Sequence, residues 1–128
     1  MEDTHMTIMD AINRIDAIKP NGYSQAEKMM WLSNLDGLIK SEIIDTHEGS
    51  EEVVFDGYNA ETMLTTPLLA PFPYDDIYLY WLESKIDYWN GETSKYNNSI
   101  EMFNTAYSAF EKHYNRTHKP RGKKFKFF

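Results

Sequence analysis

The sequence predicts an all-α fold, a small bundle of about four helices dominated by a C-terminal αα-hairpin, with a long irregular loop that has room for a short β-hairpin. Three observations carry this. Tyr96, Ile100, Phe103, Tyr107, Phe110 and Tyr114 recur at alternating spacings of four and three, the seam of a helix packed along another helix. Ahead of them Tyr74, Ile77, Tyr78, Trp81, Leu82, Lys85, Tyr88 and Trp89 lie close to one helical face and offer a second stripe to meet the first. Asn90 and Gly91 separate the two, and glycine tolerates the left-handed conformation that commonly ends a helix. Rings at such spacing are read as packed core, not as a cofactor box, because aromatic side chains bury large area at low entropic cost.

From the N-terminus, Thr7 and Asp10 form a capping box with aspartate in the glutamate position. Ile8, Ala11, Ile12, Ile15 and Ile18 follow as a narrow apolar stripe, which predicts a helix over 7–18. Pro20 and the Asn21-Gly22 turn stop it. Ser24 and Glu27 make a second capping box, and Trp31, Leu32, Leu35, Leu38, Ile39, Glu42 and Ile43 keep helical spacing, so a second helix is expected over 25–44. Gly49 is suited to the exit.

Periodicity then vanishes over 50–72. This stretch holds one β-like run, Glu52-Val53-Val54-Phe55, and a proline-bounded segment, PLLAPFP, at 67–73. A connection of this length is usually functional or an interaction surface, and its apolar content argues against simple disorder. It either packs on the bundle or meets a partner. Val53, Val54, Phe55, Leu68, Leu69 and Phe72 are the candidate neighbour-interface residues.

The chain suits one compact domain: 128 residues of 41% hydrophobic content bury about two-thirds of the unfolded surface. Its expected layout is a helical unit over 1–118, with the 50–72 loop inserted between the second and third helices, and a docking tail over 119–128. Cysteine is absent, which removes disulfides, thiolate nucleophiles and cysteine zinc sites and is compatible with a reducing compartment. No apolar run approaches the roughly twenty residues that cross a bilayer, and the first residues lack a signal peptide's basic and apolar regions. The expectation is a protein made and used without the secretory route and without a membrane partner.

The net charge of −7 conceals a reversal of sign along the chain. Lys119, Arg121, Lys123, Lys124 and Lys126 give the last ten residues +5 with no acid, whereas the remainder carries 8 basic against 20 acidic groups, or −12. Phe125, Phe127 and Phe128 interleave with those cations, in a pattern able to add as a strand to a sheet edge or to insert into a partner's grooves. Docking on a protein is preferred to direct nucleic-acid binding, which the acidic body opposes, and a plain solvated terminus ranks third.

Catalytic constellations are not evident. His113 and His118 are five apart and fall on different helical faces, unlike a helical zinc pair. Asp45, His47 and Glu48 read as a solvated helix end, not a metal site, and Asp75 and Asp76 as carboxylates at a helix start rather than an acid–base pair. No Walker loop, dinucleotide glycine pattern, nucleophile elbow or EF-hand loop is present. The expectation is no enzyme, no cofactor, no catalytic residue and no metal ligand.

The stretches LDGLIKSEIIDTHEG (35–49), PYDDIYLYWLESKIDYWNGE (73–92) and KYNNSIEMFNTAYSAFEKHYNRTHKP (95–120) together resemble the helical head-tail connector, or adaptor, family of tailed phages and prophages. The likeness covers about 7–120 and is one of helices and aromatics, with no catalytic signature. It implies a virion protein that forms a homo-oligomeric ring of twelve copies beneath the portal protein at the capsid vertex. Such a ring extends the channel through which phage DNA passes and offers a platform to a downstream neck or tail-completion protein. It also implies residence at the head-tail interface of the virion, and in the host cytoplasm during assembly. Connectors of this sort dock on the portal through a C-terminal extension, a role that falls here, by position and chemistry, on residues 119–128. The alternative is a non-virion phage regulator or assembly chaperone that acts by protein–protein interaction through the 50–72 loop.

Overall fold

The computed structural model describes residues 5–122. The elements run β1 (His5–Thr7), α1 (Ile8–Ile18), α2 (Gln25–Glu42), two short 3-10 turns (Ile44–Thr46 and Ser50–Glu52), β2 (Pro67–Pro71), α3 (Asp76–Trp89) and α4 (Thr93–Thr117). The all-α bundle predicted above is the fold, with one small antiparallel sheet of two strands added, β1 against β2. His5 pairs with Pro71 and Thr7 with Pro67, with an irregular register between them.

The starts of α1 and α2 follow from their caps. Thr7 Oγ1 accepts the Asp10 N–H, and Asp10 Oδ2 accepts the Thr7 N–H, each at 3.1 Å, closing the predicted box. Two further donors at the start of α1 are satisfied from the loop: the Ile8 N–H donates to Thr66 O (3.1 Å) and the Met9 N–H to Leu64 O (3.0 Å). Thr7→Ala removes the side-chain half of the box at an exposed site. It is expected to cost about 1 kcal/mol in urea unfolding with an unchanged m-value.

Ser24 caps α2 by accepting the Glu27 N–H at 3.1 Å. The helix ends at Glu42, shorter than the predicted 25–44, because Ile43 leaves regular geometry and Ile44–Thr46 tighten into a 3-10 turn. Asp75 occupies the N-cap position of α3 but makes no side-chain cap bond. Gly91 (φ 75°) makes the hairpin turn in the left-handed region.

The hairpin seam forms as expected in its middle and departs at its ends. Ile77, Tyr78, Leu82 and Ile86 of α3 are fully buried, and Phe103 and Phe110 of α4 nearly so. The Trp81 ring tilts against Phe103 at 4.9 Å, and Tyr74 against Phe110 at 5.8 Å. Tyr88 and Trp89, counted in the inward stripe, are instead 57% and 59% exposed. At that end Asp87 turns inward, holding Lys19 Nζ at 2.6 Å and accepting the Ser99 hydroxyl at 3.0 Å, so the polar side chain takes the buried position. On α1 and α2 the pattern repeats: Lys28 is buried and pairs with Asp16 at 2.6 Å.

Candidate interaction surface

One buried carboxylate gathers three of the bonds that hold the 50–72 loop to the bundle and to α3. Asp36, on α2 between Leu35 and Ile39, is fully buried. Its Oδ1 accepts the Tyr78 hydroxyl of α3 at 2.6 Å; its Oδ2 accepts the Tyr58 hydroxyl at 2.5 Å and the Leu69 N–H at 3.1 Å. The Tyr78 hydroxyl oxygen in turn accepts the Ala70 N–H at 2.7 Å. Ser33 Oγ accepts the Tyr58 N–H at 2.9 Å beside Gly57, whose φ of 95° turns the chain toward α2. Burial pushes the Asp36 carboxyl up to about 6, against the opposing pull of these bonds and of His5. Burial and the neighbouring Asp36 hold both tyrosine hydroxyls above their ordinary range.

That tie decides where the loop candidates go. Leu68 is in the core, and Phe55 packs edge-on to Tyr58 (5.0 Å) over Gly37. Val53 and Leu69 are half-buried and line a groove. Val54 (79%) and Phe72 (70%) point outward. The β-like run that the sequence offers at 52–55 is irregular; the strand lies later, in the proline-bounded segment, and pairs with the N-terminus. So most of the loop packs on the bundle.

The other organising side chain is His47. Read from sequence as part of a solvated helix end, it is instead 4% exposed. Its Nδ1 faces Ile43 O at 2.6 Å and its Nε2 faces the Asn115 side-chain oxygen at 2.8 Å, fastening the end of α2 to the end of α4. Tyr114 meets the His47 ring edge-on at 4.9 Å and is stacked on His118 at 3.8 Å with the planes 2° apart.

From His118 the chain turns back along this end. His47 and Pro120 form an isolated antiparallel bridge, in which the Glu48 N–H donates to Lys119 O and the Arg121 N–H to Thr46 O, each at 2.8 Å. The Arg121 guanidinium donates to Ser50 Oγ and lies 3.5 Å from Glu51. Of the candidate docking residues, Lys119 and Arg121 therefore contact the helical body of the chain through this bridge. Lys123, Lys124, Phe125, Lys126, Phe127 and Phe128 lie outside the described residues.

Beside the bridge, Ile44, Val53, Leu69, Phe110, Tyr114 and His118 line a groove of about 370 Å³ with mostly apolar walls. Among the described residues no three His, Asp or Glu side chains gather as a metal site, and no helix is long and apolar enough to cross a membrane. Asp36, Asp87 and the groove were not singled out from sequence, and His47 was read there as a solvated helix end. For Asp36 a signal existed, since an acid four residues after Leu32 and three before Ile39 falls on the inward face of α2. No protein-family model, curated protein or solved structure matches this chain.

Proposed function

We propose that the protein is a structural component of a tailed-phage virion, a head-tail connector that joins the capsid portal to the next neck or tail protein. The observation that carries this reading is the opposition of charge between an acidic helical body and a basic, phenylalanine-rich C-terminus that follows Gly122. An acidic lining lets DNA slide without adhering, because like charge discourages phosphate contacts. A short cationic and aromatic arm gives each copy a modest attachment to a neighbouring ring, and repetition around the ring multiplies it. A small bundle tied at both ends, by Lys19–Asp87 and by His47–Asn115, suits a part that must transmit load without unfolding.

The bridge at 119–121 sets where the test must cut. A chain ending at Gly122 keeps the His47–Pro120 bridge and the Arg121 contacts. It should match the full chain in helicity and melting temperature and fail to attach to portal-bearing capsids. Retained attachment would overturn the docking role. Electron microscopy and protein composition of purified virions separate this reading from a regulator or assembly chaperone, which would be missing from the finished particle.

A further inference from the structure

The stretch from Pro71 to Tyr74 presents one aromatic ring to solvent on a rigid support. The Tyr74 N–H donates to Pro71 O at 2.8 Å and closes a turn in which Phe72 stands between Pro71 and Pro73. Each proline fixes its own φ, so the turn has little freedom to fold the ring inward. Phe72 is 70% exposed. Its complement lies beside it, because Pro71 is itself a wall of the groove of about 370 Å³ that it shares with Val53, Leu69 and Phe110. That volume exceeds a phenyl ring. None of the lining residues is acidic, and apart from tyrosine the polar ones are His5, His113 and His118. Glu51, close in sequence to Val53, already lies 3.5 Å from Arg121. In a chain of net charge −7, this groove is a place where two copies can meet without like charges in contact.

We propose that the protein pairs with a second copy through this face, each subunit inserting Phe72 into the groove that Val53, Leu69 and Phe110 form on the other. An exposed apolar anchor next to an apolar groove leaves both unsatisfied in the single chain, and one contact satisfies both. Because anchor and groove adjoin on one face, that contact is reciprocal about a twofold axis and closes at two copies. Head-to-tail contacts around a ring would need them on different faces. The turn holds Phe72 in place before the partner arrives, which lowers the entropy lost on pairing. The pair is thus a state of the isolated protein, additional to any ring. It goes beyond the connector reading and does not depend on it, since it is tested without capsid or portal.

Sedimentation of the purified full chain over a series of concentrations should show monomers passing reversibly to a doubled mass and no further. Phe72→Ser, at an exposed site, should leave helicity unchanged and weaken pairing at least about thirtyfold, the loss expected for an interface anchor. Val53→Lys, which puts a cation into the apolar wall, should do the same. An equimolar mixture of the two variants should pair again, because the Phe72 retained by the second fits the groove retained by the first. Its affinity should lie between that of the wild type and that of either variant alone. Should Val53→Lys lose helicity, the Phe72→Ser comparison decides alone. A chain that stays monomeric to its highest soluble concentration would overturn the proposal and leave the groove to a different ligand. Doubling undiminished by Phe72→Ser would overturn it in favour of another surface, and a mass that grows beyond two copies would overturn the closed pair.

Discussion

Replacing Asp36 by alanine is expected to destabilise the protein by about 3 to 4 kcal/mol at about pH 5, measured by urea unfolding. The substitution strands the Tyr78 hydroxyl in a fully buried site and removes the acceptor for the Tyr58 hydroxyl and the Leu69 N–H. Each buried donor left without a partner costs about 1 to 3 kcal/mol, and the small cavity adds to the sum. Tyr58 is only half-buried and can turn to water, which lowers its share. Relief from keeping this carboxyl protonated in the folded chain, where the unfolded chain would ionise it, offsets another part, of about 1 to 2 kcal/mol at this pH. The unsatisfied donors win. Hydrogen exchange should localise the damage, with the Leu69 and Ala70 amides accelerated far more than those in the middle of α4. A loss below about 1 kcal/mol would mean that the loop does not depend on this carboxylate.

Asp36 also marks the boundary between what could be read from the chain and what could not. Local signals were legible: the capping residues Thr7 and Ser24, the break at Gly91, and the central seam of Trp81, Phe103 and Phe110 each depend on residues close in sequence or on a strict helical repeat. The polar positions were not. Asp87 is buried because Lys19 reaches it across 68 positions, and His47 is buried because Asn115 does the same. Composition cannot announce such pairings, and a charged residue on an apolar stripe is read as its solvated edge. The same blindness placed Tyr88 and Trp89 inside, where an acid and its partners took the space.

The short sheet escaped for a different reason. Its strands are three and five residues long and pair across some sixty positions with an irregular register, so neither alternation nor a hairpin turn signals them. The proposed interaction surface shares this origin. The groove walls come from the first 3-10 turn, from the loop on both sides of its tie, and from the last turns of α4, so it exists only once Asp36 and His47 have joined those segments. The basic tail could be recognised from charge alone, but the groove could not.

The stability advantage of the wild type over Asp36→Asn should shrink by about 2 kcal/mol as pH rises from about 4 to about 7. In the folded chain the Asp36 carboxyl titrates at about 6, against an ordinary value of 3.8, because burial penalises the anion more than Tyr58, Tyr78, Leu69 and His5 together favour it. Between those two values the folded chain keeps a proton that the unfolded chain has released. The folded state then binds more protons, and stability falls as pH rises. This contribution is whole below about 3.8 and is lost by the time the pH has passed about 6. Asparagine copies the size of the acid and cannot ionise, so its variant lacks this term. It presents an amino group where Tyr78 needs an acceptor and should start about 1 to 2 kcal/mol behind at low pH. Every other carboxylate is common to both proteins, so the difference between the two curves isolates Asp36. A difference that stays flat across the window would show that the buried group does not titrate between those limits. A difference that grows with pH would show that its hydrogen bonds outweigh its burial, reversing the order of forces argued for the tie between α2, the loop and α3.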